Sequence, residues 1–127
     1  MNFEVAYAKD VLALLKEAKT GVLDCDAFVN AGLLDDATLP KFQYHIETLT
    51  KNNLMRCGTW HSTDAQGVVA YQGQSGDFRL SVLGNAVVEA WMEPDILLQL
   101  QMMSQDCYHL IEASLLLLRK KIESQII

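Results

Sequence analysis

The stretch LPKFQYHIETLTKNNLMRC, residues 39 to 57, constrains the fold more than any other part of the chain. It predicts a helix that stops at a pair of asparagines and runs directly into a strand. Phe42, Ile46, Leu49 and Asn53 recur on one helical stripe, the expected buried face. Tyr44, Glu47, Thr48 and Lys51 stand opposite, with Lys41 at the edge. Thr38 is placed to cap the helix, and Pro40 falls in its first turn, where the missing N–H does no harm. Asn52-Asn53 ends it, because asparagine tolerates a left-handed conformation.

The strand needs a partner. LMRCGTW reads as a first strand and GVVAYQG as a second, with the polar turn HSTDAQG between them. GQSGDF is a further loop and FRLSV a short extended stretch. Upstream, residues 3 to 19 set Val5, Val11, Leu12, Leu15 and Ala18 on one helical face that ends at Lys19-Thr20-Gly21. GVLD follows as a short extended piece, and Asp24 or Asp26 can cap a brief helix, DAFVNAG. Ser81 can cap the helix VLGNAVVEAWM, which ends before Glu93-Pro94.

From Asp95 to Ile127 the chain has no Gly or Pro. Read as one helix, this segment would span about 30 residues and roughly 45 Å. Leu97, Leu100, Cys107, Ile111 and Leu118 follow a roughly heptad stripe, which Leu110, Leu115, Leu116 and Leu117 broaden and Ile122 continues. A helix apolar on so many sides needs a partner, and the simplest is a second copy. The expected dimer interface is therefore Leu97, Leu100, Cys107, Ile111, Leu115, Leu118 and Ile122. The alternative is a break near Ser104-Gln105 that folds the segment back as a hairpin.

These segments give a mainly α chain with a small β-hairpin: a domain over residues 1–92 and a C-terminal dimerisation helix over 93–127. In order, YHIETLTKNNLMRC resembles the third helix and first wing strand of the winged helix-turn-helix superfamily of bacterial and phage transcriptional regulators. RLSVLGNAVVEAW is similar to the segment after the wing in that family, commonly R-L-T-x-x-G before an apolar helix. Short phage and prophage members look nearest, and regulators with a long C-terminal dimerisation helix share the layout. The resemblance implies a winged helix-turn-helix whose third helix enters the major groove of double-stranded DNA, each protomer of a dimer using its own. Under it Tyr44 and Thr48 would reach base edges, while Lys41, Lys51, Gln43 and Arg79 would contact the backbone or its surroundings. His45, at the border of the buried face, reads as a structural residue.

Charge sets a limit on this. The chain carries a net −6, which argues against non-specific coating of nucleic acid. Residues 1–37 sum to −4 and residues 84–127 to −3, whereas residues 38–83 sum to +1. The one non-negative segment is the one that would meet DNA, but it has fewer basic residues than that family's third helix and wing usually carry. Hence the rival expectation: an acidic winged-helix adaptor or inhibitor that binds a protein partner.

Other chemistries find little support. Three cysteines without a C-x-x-C pair fit a reducing cytoplasm. Cys57 with His61 and Cys107 with His109 do not make a four-ligand set, so no metal is expected. No phosphate-binding loop or nucleophile motif is present, so neither catalytic residues nor a cofactor is expected. The apolar runs are too short to span a bilayer, and no membrane partner is expected.

Overall fold

A computed structural model describes residues 2–19, 21–57, 60–62, 69–71, 78–103 and 106–126, with the backbone alone for 60–62, 69–71 and 126. The polar turn expected at 61–67 and the loop at 73–78 lie largely outside the described residues. The elements run α1 (Val5–Glu17), α2 (Cys25–Asn30), α3 (Leu39–Lys51), β1 (Met55–Arg56), β2 (Trp60–Ser62), β3 (Val69–Tyr71), β4 (Arg79–Leu80), α4 (Val82–Trp91), α5 (Pro94–Gln101) and α6 (Cys107–Ile126).

The chain is mainly helical, with two small antiparallel ladders among the described residues. β1 pairs with β4 and β2 with β3, so the expected first strand is divided into two short pieces. The extended GVLD piece also finds its place: Leu23 and Phe78 exchange both backbone hydrogen bonds, at 3.0 and 3.1 Å. Behind that bridge Phe28, Phe42 and Phe78 meet with ring centroids 5.0 to 6.0 Å apart and join α2, α3 and the bridge residue that precedes β4.

Local chemistry fixes the ends of these elements. Asp24, not Asp26, caps α2, accepting from the Ala27 N–H. Thr38 does not cap α3 with its side chain. Its hydroxyl accepts from the Asp35 N–H and its own N–H donates to the Asp35 carboxylate, both at 2.8 Å. That reciprocal clasp closes the turn ahead of α3 and holds the Asp35 carboxyl below the usual range, chiefly through the bonds from Thr38.

Asn53 is exposed, which corrects the expected buried stripe. It lies outside α3 at φ 64°, the left-handed position of a Schellman turn. Leu54 N–H reaches back to Leu49 O and Asn53 N–H to Thr50 O, at 2.9 and 3.0 Å. His45 takes the place in the core that Asn53 leaves, beside Phe42, Ile46 and Leu49.

The tightest junction lies where α4 meets the end of α3. Ser81 Oγ donates to Asn53 O at 2.6 Å and accepts from Gly84 N–H at 2.8 Å, while Ser81 N–H donates to Leu54 O at 3.1 Å. A Cβ on Gly84 would lie 1.8 Å from Leu54 O, so only glycine lets the two backbones approach this closely. Lys16 bonds Asn85 and Glu89 at 2.7 and 3.2 Å and ties α1 to the side of α4.

The single long C-terminal helix is not what forms. α5 ends at Gln101 and α6 begins at Cys107, so the segment folds back as the alternative had it. The Asp106 carboxylate accepts from Tyr108 N–H at 3.2 Å and marks the new helix start. Burial drives the break: Leu100, Cys107, Leu110 and Ile111 all enter the chain's own core. Trp91 Nε1 donates to Ser114 Oγ at 2.7 Å, both residues fully buried, and Ser114 in turn donates to Leu110 O. Lys121 closes the hairpin at 2.8 Å from Glu93 and 2.9 Å from Asp95. Residues 93–127 therefore do not stand apart from the preceding domain as a free helix.

Two expectations follow from these junctions. Gly84→Ala forces the Leu54 carbonyl aside and should lower unfolding free energy by about 1–3 kcal/mol in denaturant melts, as overpacking does.

His45 gives the second. Its ring is fully buried, with Nε2 accepting from Glu4 N–H at 2.9 Å and Nδ1 2.7 Å from Lys41 O. An acceptor at Nε2 and a donor at Nδ1 define the neutral tautomer, which links the start of α1 to α3. Burial, first, holds its pKa below the ordinary value; the Lys41 carbonyl and Glu4 oppose that shift, and the Lys41 charge adds to it. The unfolded state thus takes up a proton that the folded state refuses. The resulting stability is complete above about pH 6.5 and is lost as pH falls below it. Melts from pH 7 to 5 should show this slope in the wild type and not in His45→Gln.

Candidate nucleic-acid interface

α3 lies with Phe42, His45, Ile46 and Leu49 inward and turns Pro40, Glu47 and Lys51 to solvent. Tyr44 and Thr48 lie half-buried on the flank that faces α1 and α6. They do not stand free as the sequence reading expected. Together with Lys51, Asn52, Phe3, Asp106 and Cys107 they line a groove of about 420 Å³. Thr48 Oγ1 donates to Tyr44 O at 2.8 Å, which leaves its oxygen lone pairs and methyl to face a ligand.

Lys41 is engaged within the chain. Its ammonium lies 3.1 Å from Glu4 and 4.6 Å from the centre of the Tyr7 ring. Tyr7 itself donates to Leu33 O at 2.6 Å. Its phenol is pushed up to about 12, mostly by burial and then by Asp35 and Glu4. The cluster of Glu4, Tyr7, Lys41, Tyr44 and His45 is thus a clasp between α1 and α3, and a phosphate would have to compete with Glu4 for Lys41. Nothing near Lys41 in the sequence marked Glu4 as its partner, because the two residues meet only after folding.

Lys51, Arg56 and Arg79 behave differently. All three are exposed, and none enters an ion pair among the described residues. Arg56 and Arg79 are direct partners across the β1–β4 ladder, with Met55 and Leu80 paired beside them. Like charges at such a position repel, so the ladder presents two guanidinium groups on one face at some cost to itself. Arg56 was not among the expected contact residues; the signal that could reveal it is its cross-strand register with Arg79. Gln43 is half-buried on the opposite flank of α3 from Thr48, so the six expected contacts do not converge on one patch.

The other candidates resolve simply. Cys107 is buried with its thiol pushed up to about 12 by burial and then by Asp106, whereas His109 is exposed and 2.6 Å from Asp106. Those two side chains face different ways. Cys25 is raised to about 11 by burial and then by Asp26 and Asp24, which keeps its thiol protonated at neutral pH. Among the described residues no group of three or more His, Cys, Asp or Glu is placed to hold a metal, and no helix is long and apolar enough to cross a membrane. Comparison of the chain with protein-family models, with curated proteins and with solved structures finds no match.

Proposed function

We propose that the chain is a winged helix-turn-helix domain that binds double-stranded DNA, with α3 directed to the major groove and the β1–β4 ladder resting on the backbone. One observation carries the reading: the exposed stripe of α3, with Pro40, Glu47 and Lys51, runs into a ladder that holds Arg56 and Arg79 side by side, and among the described residues no acid is paired with Lys51, Arg56 or Arg79. In this arrangement cations supply register and affinity, while Tyr44 and Thr48 at the edge of the groove read bases. Binding is weak without sequence matching, since the whole chain carries −6.

A second reading rests on a separate observation. Lys41 is already neutralised by Glu4, and Glu47 stands on the outward stripe of α3, so the same face suits a protein surface as an acidic adaptor or inhibitor would.

Selection from random duplexes at low salt separates the two. Enrichment of one sequence is expected, and Lys51→Ala, Arg56→Ala and Arg79→Ala should each reduce the salt slope of its binding by about one unit. Tyr44→Ala and Thr48→Ala should alter which sequence is preferred, and Lys41→Ala should have the smallest effect. No enrichment, with recovery of one protein that is lost on mutating Tyr44 or Lys51, would replace DNA binding with the adaptor reading.

A further inference from the structure

The turn between α5 and α6 uses one side of α6 and leaves another uncovered. Cys107, Leu110 and Ser114 are buried against the chain's own core. On the adjoining side Tyr108, Leu115 and Ile122 remain 58, 37 and 49 % exposed, with Leu118 half-buried beside them. With Ile111 at the floor of the stripe, the positions 108, 111, 115, 118 and 122 advance by alternating steps of three and four. That is the spacing of a coiled-coil seam; it keeps Ile111, Leu115, Leu118 and Ile122 of the expected interface and has Tyr108 in place of Leu97, Leu100 and the buried Cys107.

The charges beside this seam choose its partner and its direction. Along its outer flank stand Glu112 and Arg119, seven residues apart and of opposite sign. Within the chain Arg119 pairs with Glu123 at 3.0 Å, and the hydroxyl of Tyr108 bonds Glu112. The inner flank holds Cys107, Ser114 and Lys121, which are packed or ion-paired onto the chain's own α4 and α5. A parallel pair of α6 helices would set the outer flank of each against the body-bearing flank of the other. An antiparallel pair sets outer flank on outer flank, where Glu112 and Arg119 meet as opposite charges twice.

We propose that α6 pairs antiparallel with α6 of a second copy of this chain about a two-fold axis near Leu115. Tyr108 then packs on Ile122 of the second copy, Leu115 lies against its Leu115 over the buried Ile111, and Glu112 faces its Arg119. The interface is isologous and closes on itself. It stands independently of what α3 contacts.

Charge reversal tests the pairing and its direction together. Sedimentation equilibrium of the wild type should show a dimer at micromolar concentration. Glu112→Arg sets Arg119 against an arginine twice, and Arg119→Glu sets Glu112 against a glutamate twice. Each should weaken the homodimer by about tenfold or more, while the melting curve of these exposed sites stays near wild type. The double variant Glu112→Arg/Arg119→Glu should regain the wild-type constant, and an equimolar mixture of the two single variants should form heterodimers. A wild type that remains monomeric at about 100 μM, roughly two orders above that expectation, would overturn the proposal. So would single variants that dimerise as tightly as the wild type, or a double variant no tighter than the singles.

Discussion

The contact between Gly84 and the Leu54 carbonyl governs how the pieces of this molecule fit. α3 must end, turn through left-handed Asn53 and deliver Met55 to the β1–β4 ladder. α4 must start within a residue of that ladder's other strand. Both requirements meet at one point, where the Ser81 hydroxyl accepts from Gly84 N–H and donates to Asn53 O. A side chain at position 84 would push α4 off the end of α3, and Trp91 on α4 would no longer be aligned with Ser114 on α6. The position of the C-terminal hairpin thus depends on a glycine ten residues before its first helix.

The neutral His45 ring complements this joint from the other side of α3. It offers one acceptor and one donor to two backbone groups of different elements, a demand that neither an aliphatic nor a charged side chain meets. Around it Phe3, Tyr7 and Tyr44 pack at ring separations of 5.3, 4.8 and 5.2 Å. Cations are divided accordingly: Lys16, Lys41 and Lys121 hold helices to one another through acids. Lys51, Arg56 and Arg79 enter no ion pair among the described residues.

Much of the architecture could be read from local patterns. The α3 stripe, the Asn stop, the Ser81 cap and the extended GVLD piece are short-range features whose causes lie within a few residues. The motif R-L-S-x-x-G was legible as a unit, and the structure gives its reason in the Ser81 cap and the Gly84 approach. The break between α5 and α6 was harder, because no Gly or Pro marks it. What decides it is the burial of Leu100 and Leu110 on opposite sides of the turn and the bond from Trp91 to Ser114, a long-range preference with no local signature. Site residues were least legible for the same reason. Whether Lys41 is free depends on Glu4, and whether Arg56 matters depends on its register with Arg79.

The docking of α1 has a consequence for how the chain reaches this state. Ala8, Val11, Leu12 and Leu15 form an apolar face that is fully closed only with α4 in place, and Lys16 bonds residues 69 and 73 positions further along. Contacts of such separation form late, after the loop between them has been closed. A ribosome that has released only α1, α2 and α3 has therefore produced a segment with this apolar face of α1 still open to water. α4 closes part of that face, but Ile96 and Leu100 of α5 and Leu110 and Ile111 of α6 belong to the same core, so the segment stays vulnerable until α6 has emerged.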